Sequence, residues 1–417
     1  MNAERPDDGP PPLGMPMGEF VALMAILMAL TALSTDIMLG VLPDIAADFS
    51  LEGANEQQFM ITVYMIAFAV GHVFVGPLSD RLGRKPVLIG GLLVYAVGSV
   101  IAILAHSYTL LLVARAIQGF GASAPRVVAV AVVRDRFVGR AMSQVMSFVM
   151  TVFIMLPVIA PALGSIIAAS GSWHPIFTFL LVVAIATTAW VMLRLPETNP
   201  VSGEGARAPV GLRLALETIV ESRQTMGYML ALGFVFGCLV TYITSTQQLF
   251  ADVYGIVRWF PAVFASVAGG MMVATLVNAR LVRHAGMRRL SHGGLIALVV
   301  VSVVMNVVGL ALDGPLPIWL LVAYLATCFF LAGLVMPNFN AIAMEPLGRI
   351  AGTGSAFIGF VMTGIGAILG GAVGQLYDGT PQPLLLGFLV YSTVSLTVVM
   401  VTERGRLLEP AKVHATR

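Results

Sequence analysis

Apolar residues fall along the chain in long continuous runs with short polar breaks between them. The runs lie near 20–43, 57–78, 86–105, 109–133, 142–169 and 173–193, then near 226–250, 259–279, 290–312, 316–344, 352–377 and 383–402. Each is close to the roughly 20 residues a helix needs to cross about 30 Å of hydrocarbon. Continuous runs of this length exclude the short alternating strands of a membrane barrel. The pattern predicts an all-α integral membrane protein with 12 transmembrane helices. One long polar interruption, Pro196 to Arg223, divides the spans six and six. The expected organisation is a 1–19 tail, a 20–194 bundle, a 195–225 loop, a 226–402 bundle and a 403–417 tail. The leader, Met1 to Glu19, carries a single basic residue, Arg5, so the first run is expected to stay as a helix and not be cleaved as a signal.

Composition narrows the function classes. Hydrophobic residues make up 58% and charged residues 11% of the 417, against about 45–50% and about 25% in ordinary globular proteins. Such a chain cannot cover a water-facing surface, so soluble enzyme, nucleic-acid binder and disordered protein are excluded. The net charge of +2 says little, but the placement of the charges says much. Of 23 Lys and Arg, only Arg258 falls in loops on one side, and Arg115 and Arg126 fall inside spans. All others lie in the tails and loops of the opposite side, which the positive-inside rule makes cytoplasmic, along with both termini. Cys238 and Cys328 lie far apart in apolar runs and read as small core residues, with no metal or disulfide implied.

The intramembrane charges are the candidate chemistry. Among 21 acids, Asp36 alone lies inside a span. An ionised carboxylate at depth costs on the order of 3 kcal/mol unless it meets a cavity, a cation or a proton. Those are the requirements of a proton-coupling site. Counting residues from the span ends puts Asp36 and Arg115 at a similar depth, which predicts a direct or water-bridged pair. Arg126 lies three turns beyond Arg115 on a similar face, lining the inner cavity or snorkelling to the surface. His72, alone in an apolar run, reads first as a hydrogen-bonded packing residue. Tyr64, Gln118, Tyr242, Gln247 and Asn338 are expected on the cavity wall. Gly366, Gly370 and Gly374 repeat at four-residue spacing, which permits close helix approach, as a gliding surface between the halves or as static packing. No HExxH, GxSxG or phosphate-binding loop is present, so neither an enzyme nor nucleotide coupling is expected.

Several motifs resemble one family. The loop Gly76-Pro77-Leu78-Ser79-Asp80-Arg81-Leu82-Gly83-Arg84-Lys85-Pro86 resembles the signature loop of the major facilitator superfamily. A fainter echo, Leu281 to Arg288, follows the eighth span and suggests duplication. Arg115-Ala116-Ile117-Gln118-Gly119-Phe120-Gly121-Ala122 is similar to a motif of proton-coupled members. Pro157, Pro161 and Gly164 in the fifth span are similar to the antiporter motif, although Ala160 and Ser165 depart from it. Trp173-His174-Pro175, Pro196-Glu197-Thr198 and Pro337-Asn338 extend the likeness toward the bicyclomycin- and chloramphenicol-resistance branch. The resemblance implies two pseudo-symmetric six-helix halves and an inner gate built on Gly76, Asp80, Arg81, Gly83 and Arg84. In that gate Asp80 would meet the start of the eleventh span. It also implies proton coupling through Asp36 and Arg115, with no cofactor beyond a proton gradient. The expected role is drug/H+ antiport in the cell inner membrane, by a monomer in the lipid bilayer with small drug-like molecules and protons as its partners. Export of one endogenous metabolite, or a receptor without transport, are the competing readings.

Overall fold

A computed structural model describes residues 14–408 except 54, 138, 170, 199–211 and 313. The outer parts of both tails, with Arg5, Lys412 and Arg417, lie outside the described residues, as does Arg207 of the central loop. The described residues form helices and no strand. In the first half these are α1 (Met17–Asp36), α2 (Leu42–Asp48), α3 (Phe59–Leu82), α4 (Arg84–Ile103), α5 (Tyr108–Arg136), α6 (Gly139–Ala168) and α7 (His174–Arg194). A short α8 (Leu212–Glu221) precedes the second half. That half comprises α9 (Arg223–Asp252), α10 (Phe260–Ala285), α11 (Met287–Ala311), α12 (Ile318–Met344), α13 (Ala351–Gln375) and α14 (Gln382–Thr402). Twelve helical stretches are long and apolar enough to cross a membrane, with α1 and α2 sharing one. The end carrying the signature loop is termed inner, and the other outer.

The halves repeat one packing scheme. In the first, α1 packs on α6, α3 on α5, and α4 on both α5 and α7; in the second, α9 packs on α13, α10 on α12, and α11 on both α12 and α14. The sequence echo has a matching backbone: Gly83 (φ 98°) joins α3 to α4 as Gly286 (φ 78°) joins α10 to α11. Glycine reaches that positive φ without a Cβ clash, so two helices can meet at a single residue. Between the halves α3 lies along α13, and α6 meets α10.

Two local departures from the expected runs have clear causes. Pro337 does not end α12, where the Asn338 side chain donates to the Leu334 carbonyl at 2.7 Å and helps satisfy the backbone near the proline. The first span, in contrast, is broken. Pro43 would clash with the carbonyl four residues earlier in a continuous helix. The chain stops α1 at Asp36, passes through a 3-10 turn at Leu39–Val41, and restarts as α2.

Candidate functional site

The break in α1 places the coupling candidate. Asp36 is the last residue of α1 and only 2% exposed, and it accepts a hydrogen bond from Thr35 Oγ1 at 3.2 Å. The α6 helix reaches this break because residue 164 is glycine: a Cβ there would run into the Ile37 carbonyl. Ser165, one of the departures from the family pattern, bonds back to the Pro161 carbonyl at 3.0 Å and sits against Gly40. Asp36 and Gly164, separate candidates in the sequence, therefore flank the same break, with Pro161 one turn away on α6. Pro157 is half-buried a turn further along.

Arg115 makes no direct ion pair with Asp36 within 4 Å, one of the two arrangements expected. Its guanidinium is spent on neutral acceptors instead: Nε donates to the Met60 carbonyl at 3.1 Å, Nη1 to Gln118 Oε1 at 3.0 Å and Nη2 to the Ser34 carbonyl at 3.1 Å. It also lies 4.3 Å above the Tyr64 ring. The Ser34 carbonyl is available because α1 ends two residues later. Arg115 thus ties α1 and α3 to α5 and holds the broken end that presents Asp36.

Gln118 is likewise not on a cavity wall. It is fully buried, bridging Arg115 to Ser99 Oγ at 2.8 Å, while Ser34 and Tyr95 share a 2.5 Å hydrogen bond nearby. Glycines allow this packing: a Cβ on Gly119 would meet the Tyr64 backbone, and one on Gly121 the Tyr95 backbone.

Across the seam, Tyr242 of α9 lies within electrostatic reach of Asp36 and packs on Phe264 and Phe329, its hydroxyl donating to the Phe264 carbonyl at 3.3 Å. Gln247 is buried further along α9. Asn338 departs from expectation, because it bonds to Asn278 at 2.6 Å and ties α12 to α10 within its own half. Tyr64 is fully buried and stacked on Phe68. His72 Nδ1 donates to the Phe68 carbonyl at 2.8 Å, the packing role expected, and its other edge lies against Gly359 of α13. Arg126 is half-buried within electrostatic reach of His72, at a deeper level than Arg115.

Both ends of the molecule are latched. At the inner end, Arg84 binds Asp80 at 2.6 Å, Asp135 at 2.9 Å and Ser79 at 2.7 Å. Glu197 of the Pro196-Glu197-Thr198 segment accepts from the Arg84 and Lys85 amides at 2.9 and 3.0 Å, capping α4. Asp80 Oδ2 and Arg134 Nη2 approach Gly352 in the first turn of α13, where a Cβ would stand 4.0 and 3.2 Å from them. Arg81 is exposed.

At the outer end, Asn55 Nδ2 donates to the carbonyls of Gln375 (3.1 Å) and Tyr377 (2.8 Å), and Gln375 Nε2 returns a bond to the Asn55 carbonyl at 2.8 Å. Gln248 joins Asn55 (3.1 Å) to Gln58 (2.9 Å). Between the two latches α3 and α13 run antiparallel in one register, with Gly76 at Ala356, His72 at Gly359, Ala69 at Gly364, Thr62 at Gly371 and Gln58 at Gly374. The glycine stripe divides between the two expected roles. Gly366 and Gly370 pack on Phe236 and Val240 of α9 inside one half, while Gly374, with Gly359 and Gly371, faces the seam.

The amide latch escaped sequence reasoning, which tracked charge. Its one signal is a run of carboxamides beside a span, Asn55, Gln57 and Gln58. A second inner network was also missed: Arg288 with Glu345 and Glu403 (both 3.2 Å), and Tyr228 between Glu403 (2.6 Å) and His292 (2.8 Å).

Comparison with known proteins agrees with this architecture. A family profile described as Major Facilitator Superfamily matches residues 24–371. The uncharacterized MFS-type transporter YdgK of Bacillus subtilis is 30% identical over 377 residues, 87% of this chain and 90% of the relative. A bicyclomycin resistance protein homolog of Haemophilus influenzae is 29% identical, covering 93% of this chain and 96% of its own. Multidrug resistance protein D of Escherichia coli is 26% identical over 86% of this chain and 88% of its own. The crystal structure of the human organic anion transporter MFSD10 superposes with a TM-score of 0.66 over 92% of this chain and all of that one; at 18% identity it shares the fold.

Proposed function

The chain belongs to the major facilitator superfamily, and from that premise we propose that it is a proton-coupled exporter of small amphiphilic neutral or monocationic compounds. It works by alternating access in the cell inner membrane, as a monomer with both termini cytoplasmic, driven by the proton gradient without a cofactor. The observation that carries this reading is Asp36, a buried carboxylate at the broken end of a membrane helix with no cation of the described residues within 4 Å. Discontinuous helices are where transporters build their coupling sites. An ionised acid at a helix C-terminus gains nothing from the helix dipole. A proton or a substrate cation relieves the same cost, so the two compete for one group. Competition of that kind is linkage: a ligand preferring ionised Asp36 must release a proton, and protonation must weaken that ligand by the same factor. The printed names of the relatives, bicyclomycin and multidrug resistance proteins, support drug-like substrates.

The test is proton release from purified protein in weak buffer on adding neutral and monocationic drugs. Wild type is expected to release protons. Asp36→Asn keeps the side-chain size and removes the titratable group, so release and gradient-driven export should vanish while some drug binding survives. Undiminished gradient-driven export by Asp36→Asn would overturn the assignment.

A further inference from the structure

One face of α10 is not accounted for by transport. Gly270, Ala274 and Asn278 face α12, where a Cβ on Gly270 would meet the Ala326 carbonyl and Ala274 lies against Gly333. The opposite face is left uncovered by protein, with Met272 42% and Leu276 66% exposed. One turn further toward the inner end the same side of the helix carries Arg280 and Arg283, both exposed. Arg289, across the Gly286 joint, is also exposed, and its Nε donates to the Leu408 carbonyl at 2.9 Å. That bond brings the segment bearing Arg404 and Arg406 to the same end.

Arg84, Arg194 and Arg288 each bind carboxylates. Among the described residues, no carboxylate lies within 4 Å of Arg280, Arg283 or Arg289. Like charges three residues apart on a helix repel, so an anion from outside the chain would stabilise them. An apolar strip leading into guanidinium groups at the membrane surface matches an amphiphile with an acyl chain and a phosphate. We propose that the inner end of α10 and its joint to α11 form a binding site for an anionic phospholipid. Its phosphate sits between Arg280 and Arg283, with Arg289 beside it, and its acyl chain lies along Met272 and Leu276.

The experiment titrates the purified full-length chain in detergent with phosphatidylglycerol, phosphatidylcholine and inorganic phosphate in separate arms, with bound lipid read by native mass spectrometry. Phosphatidylglycerol should be retained well above phosphatidylcholine, and inorganic phosphate should not displace it. Arg280→Gln with Arg283→Gln should weaken retention about thirtyfold, from the attraction each surface cation contributes. Arg280→Lys with Arg283→Lys should stay within about threefold of wild type, since the attraction is mainly one of charge. Equal retention of the two lipids, displacement by inorganic phosphate, unchanged retention in the glutamine variant, or equal loss in both variants would each overturn the site.

Discussion

The inner and outer ends of the α3–α13 seam are closed by different chemistry. The inner end uses formal charge: the ion pairs of Arg84 with Asp80 and Asp135 join α3, α4 and α5 within the first half, and Asp80 and Arg134 come up against Gly352 of α13 across the seam. The outer end uses carboxamides and backbone carbonyls, from Asn55, Gln58, Gln248, Gln375 and Tyr377. Ion pairs are screened by salt, less where a partner is buried as Arg84 is, whereas neutral hydrogen bonds are not. A transporter with one gate of each kind can have its two closed ends tuned separately. Asp36 lies between them, so the proposed protonation there need not act through either gate directly.

The largest effect that could break this comparison is steric. A Cβ on Gly371 would stand 2.7 Å from Thr62 Cγ2, so Gly371→Leu should hold the outer end apart. Overpacking of about 3 kcal/mol shifts a two-state balance by more than about a hundredfold. Single-cysteine labelling from the outer side should then be permanent and export lost; normal closure would show that the seam is not the gate.

Next comes Arg115→Ala, which strands the Ser34 and Met60 carbonyls and Gln118. A loss of about 3 kcal/mol is expected, read as a lowered thermal unfolding midpoint. Arg115→Lys should recover only part, because one ammonium cannot reach all three acceptors. An unchanged midpoint in the alanine variant would remove the positioning role.

Arg84→Ala removes two ion pairs within the first half and so loosens Asp80 where it faces α13; it should raise inner-side labelling about tenfold, with little change outside. Asn55→Ala removes three side-chain hydrogen bonds and should do the converse by at least about fivefold, a single neutral hydrogen bond contributing about 1 kcal/mol. The smallest effect is the sharpest discriminator. Raising salt from about 0.05 to about 0.5 M should increase inner-side labelling about twofold and leave the outer side unchanged. Equal responses at both ends would erase the distinction.

Much of this architecture is legible without coordinates, because membrane solvation acts on local sequence. A helix must satisfy its own backbone in lipid, so apolar run length alone locates the spans. Burying charge is costly enough that Asp36, Arg115 and Arg126 stand out by rarity. The signature loop is readable for a local reason too: Gly83 needs positive φ, and Asp80 and Arg84 are four apart on adjoining helices.

What the sequence could not supply is which polar groups meet. Equal depth suggested a direct or water-bridged pair of Asp36 and Arg115, but depth is one coordinate and direct contact needs three. Packing of α1 against α5 turned the guanidinium onto the Ser34 carbonyl instead. The two readings of the glycine stripe could not be separated for the same reason, since the face Gly366 and Gly370 occupy is set by the rotation of α13 about its axis. The amide latch is formed by residues up to 322 positions apart, and neutral side chains leave no rarity signal to find. Local sequence therefore determined the helices, their number and the buried charges. Only the tertiary packing decided their partners, because helix rotation and inter-half register depend on contacts that no single segment contains.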